Sequence, residues 1–407
     1  MGALDRFLKY VSFDTQSRRD AVEYPSTGKQ KALGEYLAAE MKALGVADAA
    51  MDEYGYVTGA IPGNVSGAPV LGFLAHMDTS PDAGGEGVKP RIIKGYDGGD
   101  ILLNAERGVV MSPGQFSDLS GYTGQDLVVT DGTTLLGADD KAGVAEIMTM
   151  AEILLACPEI PRGDIRIAFT PDEEVGNGTI HFDPGKFGAD AAYTVDGGEP
   201  GEISYENFNA ASVVVTVRGR GVHPGDAKDK MLNAGLVAME FQSMLPTWEA
   251  PQHTEGYEGF YHLTDIEGNV ARAVLKLIIR DHDEQRFEDR KRRIEAARDY
   301  LNSVYGMGTV ETEITDSYRN MKAKIQPMMF LVENAERAMR EMGMTPLVKP
   351  TRGGTDGAML SWRGLPCPNL CTGGHYFHGP YEFIAVQSLE NIARMLVKLV
   401  EITAKFK

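Results

Sequence analysis

Three short apolar runs in this chain each end in a small group of acidic or imidazole side chains. His76-Met77-Asp78 follows the run 69–75, Thr170-Pro171-Asp172-Glu173-Glu174 closes the run 164–170, and Thr194-Val195-Asp196-Gly197-Gly198 closes the run 190–195. Runs of this length, apolar on both faces, predict buried strands. Helical patterns alternate with them. Residues 28–44 read as a helix ending near Gly45, and 141–156 as one carrying Val144, Ile147, Met148, Ala151 and Leu155 on one side. Strand–helix alternation of this kind predicts an α/β sheet covered on both faces. In such a sheet the C-terminal strand ends converge on one crevice, where ligands bind.

Two further segments carry the same residue types. Gly137-Ala138-Asp139-Asp140-Lys141 precedes the second helix, and His378-Gly379-Pro380 lies in a late loop. Taken singly, each segment has a plain explanation: a satisfied His–Asp pair, acids at a helix N-terminus, a solvated loop, a turn. Five of them, three at equivalent strand ends, call for a joint one. Carboxylates crowded into one crevice repel each other and lose hydration, and a divalent cation relieves both costs. Mixed imidazole and carboxylate donors suit zinc, with cobalt or manganese as substitutes.

At 407 residues the chain exceeds the usual size of a single core, so two domains are expected. The middle differs in pattern from the flanks. A strand at 208–218 precedes a helix at 230–245. Strands at 257–266 and 270–280, a helix at 283–305 and a strand at 308–318 follow. That β-α-β-β-α-β order can bury its own helix–sheet interface. It predicts an inserted α+β domain over 207–320, with 1–206 and 321–407 forming the other. Helices at 327–342 and 385–404 return to the first domain, while the Gly-rich, polar segment 81–118 reads as a long connection bordering the cleft.

The net charge of −18 argues against nucleic acid, whose phosphates would be repelled. The basic stretch Arg290-Lys291-Arg292-Arg293 is interleaved with Glu288, Asp289 and Glu295, which predicts a solvated helix face. Three cysteines in a chain this long do not make a disulfide framework, and buried thiols are expected. No run is long and apolar enough to cross a membrane, and no leader pattern opens the chain, so a cytoplasmic protein is expected.

The sharpest stretches are Leu74–Thr79, Leu135–Gly143, Phe169–Gly176, Gly221-Val222-His223-Pro224-Gly225 and Arg352-Gly353-Gly354-Thr355-Asp356-Gly357-Ala358. In combination they resemble the tripeptide aminopeptidases of the peptidase T type, within the dinuclear zinc peptidase and aminoacylase family. The likeness runs nearly the whole chain. It implies a catalytic domain with a mixed, mostly parallel central sheet, and an inserted lid and dimerisation domain. It also implies two zinc ions per subunit and short peptides as substrates. His76 and Asp196 would hold one zinc, Glu174 and His378 the other, and Asp139 would bridge them, with its peptide bond to Asp140 cis. Asp78 would orient His76, and Glu173 would be the general base. His223 would stabilise the oxyanion, donated across a homodimer in some relatives. Asn269, Arg280 and Arg352 would bind substrate, the first two through its carboxylate.

These roles are physically coherent. Two metals about 3.5–4 Å apart lower the pKa of a shared water towards about 7. Glu173 points differently from its neighbour Glu174 and is free to move the proton. A guanidinium on the substrate's C-terminal carboxylate would measure peptide length. Several acids qualify to receive the peptide's α-amine: Asp172, Glu199, Glu202 and Asp356. The alternative activities on the same chemistry are those of a dipeptidase, a carboxypeptidase or an amino-acid deacylase.

Overall fold

The computed structural model describes residues 1–405 and divides into two compact units. One comprises Met1–Tyr205, Ala323–Lys349 and the chain from Thr355 onward, and the other Glu206–Lys322 with Pro350–Gly354.

The first unit is built on an eight-stranded mixed sheet. Its strands include β1 (Ala47–Met51), β2 (Val57–Ile61), β3 (Leu71–His76), β4 (Ile165–Thr170), β5 (Ala191–Gly197) and β6 (Glu202–Ser204). Strands Leu347–Val348 and Asn369–Cys371 complete the order β1-β2-β4-β3-β5-(369–371)-β6-(347–348). The centre is parallel. β3 pairs in parallel with both β4 and β5, and β5 with Asn369–Cys371. Every residue of β3 is buried, as an apolar run covered on both faces requires. The register sets His76 beside Thr170 and Leu74 beside Thr194. The three acid- or imidazole-bearing segments therefore leave the sheet from the same edge, as the strand-end pattern predicts.

Four helices frame the remaining segments. α1 (Ala3–Tyr10) and the last helix, Val386–Ala404, pack on α3 (Ala138–Ala156), while α2 (Gln30–Leu44) covers β1 and β2 and stops at Gly45, whose φ is +90°. α3 is buried almost all round. Its face toward β5 is cut down to glycine at Gly143, where an added Cβ would lie 1.9 Å from the Val195 carbonyl oxygen. The first turn of α3 is not regular: Asp139 and Asp140 have non-helical dihedrals, and the bond between them is cis.

The segment 81–118 is structured rather than a bare connection. Arg91–Ile93 pairs with Leu127–Val129, and Ile101–Asn104 forms a hairpin with Val109–Met111. Tyr96, Ile101, Leu103, Met111, Leu119, Tyr122 and Phe383 bury a small separate core. Its apolar residues are spaced by glycines and aspartates, which hides the strands from a pattern reading.

In the second unit the element order is the expected one. β7 (Asn209–Arg218), β8 (Phe260–Gly268), β9 (Arg272–Asp281) and β10 (Val310–Tyr318) make an antiparallel sheet ordered β8-β9-β7-β10. α4 (Ala234–Ser243) and α5 (Glu284–Tyr305) share its core, which includes Val213, Val215, Phe241, Leu275, Leu277, Phe287, Ile294 and Leu301. The basic stretch on α5 is neutralised within the unit, with Arg290 on Asp281 and Glu249, and Lys291 on Glu288 and Asp316. Pro350–Gly354 groups with this unit because the Arg352 guanidinium binds the carbonyls of Gly256 and Glu258 and the Thr254 hydroxyl at 2.8–2.9 Å.

Candidate metal centre and active site

The five donors meet beyond the C-terminal ends of the central parallel strands in two triads that share Asp139. His76, Asp139 and Asp196 form one, and Asp139, Glu174 and His378 the other, with the donor atoms of each triad within 4.8 Å of one another. Asp139 reaches both imidazoles. Oδ1 lies 2.8 Å from His76 Nε2, and Oδ2 lies 3.2 Å from His378 Nε2. Asp196 Oδ1 is 3.5 Å from His76 Nε2, and Glu174 Oε2 is 3.0 Å from His378 Nε2.

Electrostatics mark the site as short of positive charge. Burial would pull the His76 imidazole down, but Asp196, Asp139 and Asp78 outweigh it and hold it well above its ordinary value. His378 is pushed up to about 11 by its hydrogen bonds to Asp139 and Glu174. Glu174 is pushed up to about 7 by burial, and Glu173 well above the carboxylate range by burial and then by Asp196. Glu174 Oε1 is buried and has no hydrogen-bond partner. Imidazoles and carboxylates converging with an orphaned oxygen among them fit a pair of divalent cations, which would supply the missing charge.

Supporting groups are buried behind the donors. Asp78, fully buried, has its backbone carbonyl 3.0 Å from His76 Nδ1 and its carboxylate 3.4 Å from the same atom. The carboxylate also accepts the amides of Glu173 (3.0 Å) and Glu174 (3.2 Å). Asp78 therefore fixes the His76 ring and, at the same time, the loop that carries both glutamates. Glu382, which sequence reasoning missed, accepts the amides of Leu136, Gly137 and Asp139. The only trace of it in the sequence is an acid directly ahead of the apolar run Phe383-Ile384-Ala385-Val386.

The acids considered for the α-amine are differently engaged. Asp172 accepts from the Ser26 amide and from Gln30 at 2.7 Å, Asp356 accepts from the Thr170 hydroxyl at 2.7 Å, and Glu199 pairs with Lys349. Asp172 thus holds its own loop in place.

His223, Asn269, Arg280 and Arg352 belong to the second unit. The exposed His223 accepts the Gly225 amide on Nδ1 at 3.1 Å, which leaves the proton of the neutral ring on Nε2. Asn269 Oδ1 caps a turn by accepting from Ala271 and Arg272. Arg280 lies over the Tyr318 ring and donates to the Ile279 carbonyl at 3.0 Å. Arg352, besides its four donations, lies over Phe208 and Phe260. Its guanidinium is committed to the fold of the unit.

Residues 129–402 match peptidase family M20/M25/M40. Peptidase T of Alkaliphilus oremlandii is 53% identical over 405 residues, covering 99% of each chain. Peptidase T of Desulfitobacterium hafniense is 54% identical over 403 residues, covering 99% of this chain and 98% of its own. The fold is that of the aminopeptidase PepT of Bacillus cereus, with a TM-score of 0.79 at 24% identity over 99% of this chain and 98% of that one. It is shared by a dinuclear metal-binding M20 peptidase of Bacillus subtilis, with a TM-score of 0.69 at 12% identity over 100% of this chain and 98% of that one. With donors in two triads and full-length identity above one half to the two peptidase T sequences, the chain belongs to peptidase family M20/M25/M40, in its peptidase T branch.

Proposed function

We propose that the protein is a zinc-dependent aminopeptidase that releases the N-terminal residue of tripeptides. The observation that carries this reading is the pair of donor triads sharing Asp139, in a chain with full-length peptidase T relatives. His76 and Asp196 would hold one cation, Glu174 and His378 the other, and Asp139 both. Bound there, two zinc ions would activate a water and polarise the scissile carbonyl.

The remaining steps fall to side chains of the protein. Glu173 takes the proton of the attacking water and returns it to the leaving amine. Its backbone is held by Asp78, so the carboxylate is aimed before substrate arrives. His223 donates its Nε2–H to the developing oxyanion, the tautomer that the Gly225 contact favours. Arg280 and Asn269 receive the peptide's C-terminal carboxylate and so set its length. The second unit would also carry the contact of a homodimer in the cytoplasm. No helix among the described residues is long and apolar enough to cross a membrane.

The test compares a plain tripeptide, its N-acetylated twin and the matching dipeptide, with zinc-loaded enzyme and after chelation. Metal-dependent release of the first residue from the free tripeptide alone is the expected result. Cleavage of the acetylated peptide would move the function to a deacylase or carboxypeptidase, and cleavage of the dipeptide to a dipeptidase.

A further inference from the structure

Glu382 lies outside the donor set and outside the chemistry assigned above, yet it is 1% exposed and its carboxylate is fully engaged. Oε2 accepts the amides of Leu136 at 2.6 Å and Gly137 at 2.9 Å, and Oε1 accepts the amide of Asp139 at 3.1 Å. The Gly137 and Asp139 amides open α3, where backbone N–H groups lack partners inside the helix, and Leu136 directly precedes them. A carboxylate reaching them from the far end of the chain supplies what a local cap would. No side-chain cap from the adjoining sequence is present: Gly137 occupies the cap position with φ +83°.

We propose that Glu382 is a positioning residue that locks the two metal positions into one geometry, an inference that rests on the two-metal reading. It acts on the shared ligand first. The Asp139 backbone is fixed by Glu382, while the Asp139 side chain faces His76 and His378. The Glu382 backbone, independently of the side chain, meets the loop of a second ligand. The Glu382 amide donates to the Gly379 carbonyl at 3.3 Å, closing the turn that follows His378, whose φ is +65°. The chain then enters Phe383–Ala385, which pairs with Leu127–Val129. One residue therefore ties the loop of Asp139 to the loop of His378 and anchors both to a strand. The Glu382 carboxylate reaches the metal site only through Asp139, which belongs to both triads, so its replacement should be felt at both metal positions.

The test is metal titration of Glu382→Gln and Glu382→Asp beside the unaltered protein. Binding is followed by cobalt absorption and by competition for zinc with a chromophoric chelator. Glutamine keeps the shape but replaces an acceptor oxygen with an N–H donor. Aspartate keeps the charge but falls one methylene short. The expected result is that both equivalents are loosened, by about 10- to 100-fold. Loss of the exchange-coupled signal of a manganese pair and a fall in kcat larger than any change in KM should accompany it. Two affinities within about twofold of the unaltered protein, in a variant whose circular dichroism is intact, would overturn the proposal, even if the melting temperature fell. If Glu382→Gln does not fold, Glu382→Asp is read by the same criteria. Unaltered protein that takes up only one equivalent would defeat the two-metal reading itself.

Discussion

His378 sits among three carboxylates: Asp139 and Glu174 on Nε2, and Asp82 at 3.6 Å from Nδ1. With its value pushed up to about 11, and with His76 also well above normal, both rings carry protons near neutral pH when no metal is bound. A metal ligand must be a neutral imidazole, so loading has to displace those protons. Zinc titration at pH 7.5 in weak buffer with an indicator should release about two protons per subunit, and affinity should weaken as pH falls. Release of fewer than about one would contradict the donor assignment of both histidines. The residue types of this site were legible because cation chemistry restricts them and because three segments follow apolar runs. Asp78 was legible only in part. Its spacing from His76 suggests the ring contact, but its hold on the Glu173 and Glu174 amides joins positions 95 and 96 residues apart. Glu382 left no more than an acid ahead of an apolar run, since its partners are backbone amides, which leave no mark on residue identity.

At the scale of an element, α3 shows what the site demands of its support. Gly143 has no room for a side chain, since a Cβ there would sit 1.9 Å from the Val195 oxygen, one residue before Asp196. Gly143→Ala should push helix and strand apart and cost about 3 kcal/mol or more, at the upper end of overpacking effects. Urea unfolding would show it, and a change below about 0.5 kcal/mol would mean that the approach is looser than drawn. One turn further, Glu146 is fully buried, and neither carboxylate oxygen has a hydrogen-bond partner among the described residues. Burial holds its carboxyl well above the usual range. The folded form therefore keeps a proton that the unfolded chain sheds above about pH 4.3, and stability is lost as pH rises from there through the folded value. Glu146→Met should raise the melting temperature at pH 8, with the gain vanishing near pH 4.5. An equal shift at both pH values would show that packing, not ionisation, is responsible. Helix α3 itself was readable from its apolar spacing, whereas its irregular first turn was expected only through the family resemblance. The helix period carries no information about dihedrals at Asp139 and Asp140.

For the whole molecule, the division of labour makes a claim about assembly. The metal donors and Glu173 belong to one compact unit, and His223, Asn269 and Arg280 to the other. If the protein is a homodimer whose His223 serves the partner's site, Glu173→Ala and His223→Ala would each be inactive alone. Mixed one to one and allowed to exchange, they would place an intact His223 opposite an intact Glu173 in each heterodimer. Half of the dimers would be mixed and each would hold one complete site, so activity should recover to about a quarter of the unaltered level. Service within one subunit predicts no recovery, because every chain then carries its own defect. Light scattering decides the case beforehand: a monomer at assay concentration excludes exchange of His223, and a dimer makes the recovery experiment decisive. Binding of a non-hydrolysed tripeptide analogue to the mixture separates the two functions proposed for the second unit. Arg280 and Asn269 are intact in both variants, so binding should be normal in the parents as well as the mixture, and only turnover should respond to mixing.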